Sequence, residues 1–152
     1  MSVCIRAVRT EDWPTLRKIF LEARRAMFTQ IASDSFQLMD LDQQAYGESI
    51  FVADDGKGTV LGFISIQEND RYIHHLYVDA SVQGSGIGRI LLYRLPAWGS
   101  SRYSLKCLSV NTRAAAFYVA CGFLAANIGV AADGEFILFQ IATGIRQEPI
   151  AS

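Results

Sequence analysis

Charge is scarce in this sequence. Asp, Glu, Lys and Arg together make up 19% of the 152 residues, below the ~25% usual for soluble domains. The 14 Lys and Arg nearly cancel the 15 Asp and Glu, for a formal net charge of −1. That balance creates no global basic field, so neither nucleic acid nor an anionic membrane surface is an expected partner. No stretch approaches the ~18 uninterrupted apolar residues of a spanning helix. The opening Met1-Ser2-Val3-Cys4-Ile5-Arg6 lacks the basic-then-apolar layout of an export signal. Cysteine is limited to Cys4, Cys107 and Cys121, odd in number, far apart and without metal-ligand spacing. They are expected to be reduced thiols filling the core of a cytoplasmic protein, a reactive thiol being the alternative. No metal centre is expected.

What the chain has in quantity is apolar surface, at 51% of residues. One domain over residues 1–152 is expected, with its core at about 3–142 and a short tail at 143–152. A chain of this length buries roughly two-thirds of its unfolded surface and needs no disulfide or metal to do so. Disorder of the whole chain is excluded. The open question is where so much apolar surface goes.

Residues 3–8 form a short apolar run, a first strand. Thr10 offers a helix N-cap, with Glu11 and Asp12 in the favourable first turn. Trp13, Leu16, Ile19, Phe20, Ala23 and Met27 then recur at helical spacing and predict one buried stripe. Ser33 or Asp34 could cap a second helix running to about Tyr46. Strands follow at 49–53, 59–67 and 72–79, separated by turn clusters at 54–58 and 68–70. A helix over 87–95 runs into Pro96, which ends or kinks it. A strand at 104–110 and a helix at 112–121 come next, with Gly122 placed for the left-handed residue after a helix end. Two strands, at 124–130 and 135–142, turn at Asp133-Gly134. The order β-α-α-β-β-β-α-β-α-β-β describes an α+β domain with a mostly antiparallel sheet.

The most informative segment follows the third of the consecutive strands. After Leu76-Tyr77-Val78-Asp79 come Gln83-Gly84-Ser85-Gly86-Ile87-Gly88-Arg89 and a helix. A glycine loop feeding a helix leaves several backbone N–H groups unpaired and lets a pyrophosphate approach closely. A tight turn ahead of a capped helix is the alternative. Two other phosphate loops fit poorly. The glycine spacing fails the dinucleotide fingerprint G-x-G-x-x-G, and Arg89-Ile90 replaces the Lys-Ser/Thr of a Walker loop, so a nucleotide-binding domain is disfavoured.

Gln83-Gly84-Ser85-Gly86-Ile87-Gly88 resembles the Q/R-x-x-G-x-G/A acyl-CoA loop of the GNAT superfamily of N-acetyltransferases. Asn111-Thr112-Arg113-Ala114-Ala115-Ala116-Phe117-Tyr118 with Gly122-Phe123 resembles the second signature of that family. The resemblance spans about residues 3–142, with Pro96 as the departure. It implies a GNAT fold: a mixed, mostly antiparallel seven-stranded sheet, splayed at its centre and flanked by four helices. It also implies acetyl-CoA as cosubstrate and transfer of its acetyl group to a primary amine of a small molecule or peptide. The non-catalytic alternative is an acyl-CoA-binding sensor or scaffold on the same fold.

By that resemblance, Gln83 through Arg89 hold the pyrophosphate by backbone N–H groups, and Leu76, Tyr77 and Val78 pair with the pantetheine arm. Asn111 lies near the pantetheine or the acceptor amine, or simply caps its helix. Tyr118 stands beside the CoA sulfur. A phenol with a reference pKa near 10 remains protonated at neutral pH and can donate to a thiolate. Val78 N–H is a plausible donor to the developing oxyanion. A base must take a proton from the amine. His74 is the first candidate, with His75, Glu135 or a water chain as the alternatives. Strict alternation would put Tyr72, His74, Leu76 and Val78 on one face and Ile73, His75 and Tyr77 on the other. The acceptor pocket is expected from residues 27–46 and the last hairpin loop. Phe28, Phe36, Leu38 and Met39 are its expected apolar wall, with Asp34, Asp40, Asp42 and Glu48 as attractors for a cationic amine. Low charge further predicts an apolar self-association surface and a homodimer.

Overall fold

The computed structural model describes residues 2–28 and 35–141. Seven strands form one sheet: β1 (Cys4–Ala7), β2 (Ser49–Asp54), β3 (Val60–Gln67), β4 (Tyr72–Val78), β5 (Ser104–Leu108), β6 (Phe123–Ala131) and β7 (Gly134–Ile141). Four α-helices are present among the described residues: α1 (Trp13–Met27), α2 (Asp40–Gln44), α3 (Ile87–Tyr93) and α4 (Thr112–Ala120). The spatial order is β1-β2-β3-β4-β5-β7-β6. Every pairing is antiparallel except that between β4 and β5. The α+β fold with a mixed seven-stranded sheet is therefore as the sequence predicts. No helix among the described residues is long and apolar enough to cross a membrane.

Apolar surface goes to both faces of this sheet. On one side Leu16, Ile19 and Phe20 of α1 and Leu41 of α2 pack on Ile50, Val52 and Phe63. On the other, Ile87, Leu91 and Leu92 of α3 pack on Ile64, Ile66 and Ile73, and Trp98, Tyr103 and Phe123 extend the layer. The stripe predicted for α1 is buried at Leu16, Ile19 and Phe20, but Met27 is largely exposed. Cys107 and Cys121 are buried as expected, whereas Cys4 is exposed on β1. A second apolar population stays outside: Leu124, Ile128 and Val130 on edge strand β6 are exposed.

Several boundaries differ from the sequence reading. Thr10 does not cap α1. A 3-10 turn at Thr10–Asp12 precedes the helix, and Asp12 occupies the cap position. The Asp12 carboxylate accepts the Arg9 N–H at 2.7 Å and two bonds from Arg6, at 2.7 and 3.0 Å. A buried ion pair outcompetes the short-range capping signal here. The expected cap at Ser33 or Asp34 lies outside the described residues, and the described part of the second helix is only Asp40–Gln44. α3 stops at Tyr93, ahead of Pro96, whose carbonyl accepts the Tyr103 hydroxyl at 2.7 Å. Gly122 adopts φ 101° directly after α4, as the sequence predicts.

Arg6 also bonds Asp54 at 3.1 Å, tying β1 to both β2 and the start of α1. Its hydrogen bonds hold the Asp12 carboxyl below the usual carboxylate range, against the cost of burial. A carboxylate whose pKa is lowered on folding stabilises the fold above its unfolded pKa of ~3.9, and that contribution is lost as pH falls through the folded value. Asp12→Asn is expected to cost about 3 kcal/mol at neutral pH and to flatten the acid limb of stability below pH ~4. Urea melts across pH check both, and an unchanged acid limb would contradict this role.

Candidate active site

Strand β4 pairs with β5 only at Tyr72↔Ser104 and Ile73↔Leu105. Beyond Ile73 the two strands part, and the gap between them is the heart of the site. On its other edge β4 pairs with β3, where the register steps from Ile66↔Ile73 to Ser65↔His75. His74 is thus the extra residue of a β-bulge. The bulge overturns the alternation expected for this strand. Ile73, Leu76 and Val78 pack on the α3 side, while His75 and Tyr77 pack against Phe20 of α1. The His74 and His75 rings lie side by side, with centroids 3.9 Å apart. The expectation of His74 on the face of Leu76 and Val78 is therefore corrected.

The ladder also determines which backbone groups face the gap. Asp79 N–H donates to Leu61 at 2.8 Å, and hydrogen-bonded and non-bonded pairs alternate along an antiparallel ladder. Val78 and Leu76, opposite Gly62 and Ile64, therefore turn their N–H groups away from β3 and into the gap. Tyr77, opposite Phe63, turns its backbone toward β3.

A cleft of about 890 Å³ opens from this gap toward the glycine loop, lined by Leu76, Val78, residues 82–90, Asn111, Phe117 and Tyr118. Gly84 and Gly86 have φ 83° and 87°, a backbone that favours glycine, and a Cβ built at either meets nothing within 4 Å. No described residue accepts a hydrogen bond from the backbone N–H groups of residues 83–89. An open cradle ringed by unpaired donors is a fit for a pyrophosphate, and the apolar walls at Leu76, Val78 and Phe117 fit an uncharged arm. Arg89 lies along the same cleft.

A smaller cleft of about 370 Å³ lies on the other side, between Phe20, Phe28, Phe36, His74, Tyr77 and Phe136. Leu76, Asn111, Ala114, Met27 and Tyr118 line both clefts, so the two spaces meet there. Asn111 Oδ1 accepts the Ala114 N–H at 3.2 Å, so it caps α4 as well as lining the junction. The half-buried Tyr118 side chain packs against Phe117, Phe123 and Phe139. Its hydroxyl bonds no described residue, and burial pushes its pKa above the ordinary phenol value, so it holds its proton. Burial likewise raises the Cys107 thiol in the smaller cleft and disfavours a thiolate there.

The histidines have a buried partner that the sequence reading placed elsewhere. Glu48 was expected to attract an amine. Instead its Oε2 lies 2.7 Å from His74 Nδ1, and its Oε1 accepts the Ser65 hydroxyl at 2.7 Å. The Glu48 side chain is only 4% exposed, against 32% for His74. His75 Nδ1 lies 2.8 Å from Ser65 Oγ, and its Nε2 lies 3.3 Å from Gln44 Oε1. Burial, together with the charges of His74 and Arg24, pushes the His75 pKa down to about 3.

Other expected attractors are spent within the protein. Asp40 pairs with Arg24 at 3.0 Å and Asp42 with Arg17 at 2.8 Å, while Asp34 lies outside the described residues. Leu38 and Met39 are exposed and line neither cleft; only Phe28 and Phe36 of the expected wall do. Glu135 sits exposed on β7 and also lines neither cleft.

The model of the acetyltransferase (GNAT) family matches residues 10–123, three-quarters of the chain. The chain belongs to the GNAT acetyltransferase family. No curated protein matches it in sequence, but many solved structures share the fold. The apo form of YjaB from Escherichia coli superposes with TM-score 0.75 at 18% identity, covering 95% of this chain and 100% of that one. The structure of yncA from Salmonella typhimurium with its cofactor acetyl-CoA gives TM-score 0.66 at 20% identity, covering all of both chains. A mutant of the spermidine N-acetyltransferase SpeG from Vibrio cholerae gives TM-score 0.64 at 17% identity, covering 91% of this chain and 92% of that one. These likenesses are of fold, and acetyl-CoA is the cosubstrate of the family.

Because the His75 pKa is lowered on folding, from an ordinary ~6.5 to about 3, its neutral ring favours the fold above pH ~6.5. That contribution declines as pH falls toward the folded value. NMR of the two imidazoles is expected to show one ring, His75, silent between pH 5 and 8. A His75 resonance that titrates near 6.5 would contradict the environment described.

Proposed function

We propose that this chain is an N-acetyltransferase that moves the acetyl group of acetyl-CoA to a primary amine of a small molecule or peptide, in one direct attack. The observation that carries the reading is the meeting of the two clefts at Leu76, Asn111 and Tyr118, with the Glu48–His74 pair on the acceptor side. Residues 83–89 would hold the pyrophosphate through backbone N–H groups, and Leu76 and Val78 would pair with the pantetheine arm. Acetyl-CoA supplies the acetyl group activated as a thioester.

The chain's own groups then have distinct tasks. A lysine-like amine has a pKa near 10.4 and must lose a proton before it can attack. Glu48 accepts the His74 Nδ1–H, which leaves the lone pair on Nε2 to take that proton. Glu48 is thus a positioning residue, and His74 is the base. Val78 N–H, turned into the gap, donates to the carbonyl oxygen as it gains charge. Once the C–N bond has formed, Tyr118 gives its Oη proton to the sulfur as the C–S bond breaks, and the proton shed by the new amide nitrogen restores the phenol.

Release of free thiol over a panel of amines tests the assignment. Tyr118→Phe and His74→Ala are each expected to lower kcat by about 100-fold, with little change in the KM for acetyl-CoA. Tight CoA binding without turnover on any amine would favour the sensor reading. Full activity in both variants would remove these two residues from the chemistry.

A further inference from the structure

Glu48, His74 and His75 offer one carboxylate and two imidazoles whose donor atoms all lie within 4.8 Å of one another. We propose that this triad is a binding site for a divalent d-block ion of the zinc type, facing the smaller cleft. The site exists because of the bulge. In a regular strand adjacent residues point to opposite faces, whereas here both rings stand together over one carboxylate.

The donors are built into place. The side chains of Glu48 and His75 are 4% and 3% exposed, so little order has to be acquired on binding. A metal-ligating histidine normally engages its second ring nitrogen with an outer partner that fixes its tautomer. Gln44 Oε1, 3.3 Å from His75 Nε2, is such a partner. With the ring hydrogen on Nε2, the His75 Nδ1 lone pair faces Glu48 Oε1 at 3.7 Å. Ser65 Oγ and Gln67 Nε2 each donate to the carboxylate, at 2.7 and 3.3 Å.

The Ser65 hydroxyl lies 2.8 Å from His75 Nδ1 and 2.7 Å from Glu48 Oε1, so one side chain fixes both donors. Ligands ~2.0–2.2 Å from a tetrahedral zinc ion stand roughly 3.3–3.6 Å apart. The 2.7 Å from His74 Nδ1 to Glu48 Oε2 and the 3.7 Å from His75 Nδ1 to Glu48 Oε1 lie on either side of that range. Two imidazoles and one carboxylate suit zinc-type ions rather than Mg²⁺, which prefers an all-oxygen octahedron. Three protein ligands leave an open position toward the cleft.

An ion here would take the lone pairs of Glu48 and His74 Nδ1 and move the His74 hydrogen to Nε2. This consequence, reversible inhibition, rests on His74 as the base; binding itself does not. The test is calorimetry with Zn²⁺ and visible absorption with Co²⁺ on the full chain, each repeated with Mg²⁺. One equivalent of Zn²⁺ and a Co²⁺ band of four- or five-coordinate intensity are expected, with no comparable Mg²⁺ binding. Exposed His74→Ala should weaken Zn²⁺ by more than ~100-fold and Gln44→Ala by ~10-fold, with thermal melts confirming that both variants fold. No stoichiometric binding, equal Mg²⁺ binding, or unchanged affinity in His74→Ala would overturn the site. Zn²⁺ binding that leaves thiol release untouched would uphold the site and contradict His74 as the base.

Discussion

The arrangement rests on a failure of pairing. β4 and β5 run parallel for two residue pairs and then separate, and the separation begins where the His74 bulge strengthens the local twist of β4. Backbone N–H groups at Leu76 and Val78 are left without a strand partner, in a gap floored by Tyr118. Backbone donors without a strand partner favour an extended ligand that brings its own acceptors. The same bulge turns two adjacent imidazoles to one side and brings them to a single carboxylate. The gap at Leu76 and Val78 and the histidine–carboxylate cluster thus lie at one irregularity.

Around that irregularity the protein is apolar and firmly packed, which accounts for the scarcity of charge. Helices cover both faces of the sheet, so its central strands need little polar surface. Charges that do occur near the site are largely engaged with each other. Arg17 with Asp42 and Arg24 with Asp40 pin α2 to α1, and Arg24 lies over the rings of Phe20 and Phe36 as well. Arg24 lines the smaller cleft together with the rings of Phe20, Phe28, Phe36, Tyr77 and Phe136 and the carboxylate of Asp133.

Much of this was legible in the sequence because the signals are local. The apolar run of β3, the glycine loop before α3, the Asn111 cap and the Gly122 helix end each depend on residues a few positions apart. The order of elements along the chain follows from such signals, and the single seven-stranded sheet from the family resemblance. What was not legible depends on distance along the chain or on exceptions to periodicity. Glu48 meets His74 across 26 residues, and no local pattern ties them. The bulge at His74 contains no glycine to announce it, so strict alternation mis-sorted the faces of β4. Asp40 and Asp42 read as free acids because their arginine partners lie on another helix. Thr10 and Asp12 are both good caps by residue type, and the Arg6 ion pair to Asp12 accompanies the start of α1 at Trp13.

The central claim is that the two clefts meet so that amine and thioester react directly, without an acetylated protein in between. Cys107, the thiol nearest that junction, is buried and held in its protonated form, which removes the obvious covalent relay. Initial rates measured while both acetyl-CoA and an accepted amine are varied test this most directly. The account predicts intersecting double-reciprocal lines, as for a complex holding both substrates at once, and no mass increase of the protein incubated with acetyl-CoA alone. Parallel lines, with an acetyl group carried on the chain, would contradict it.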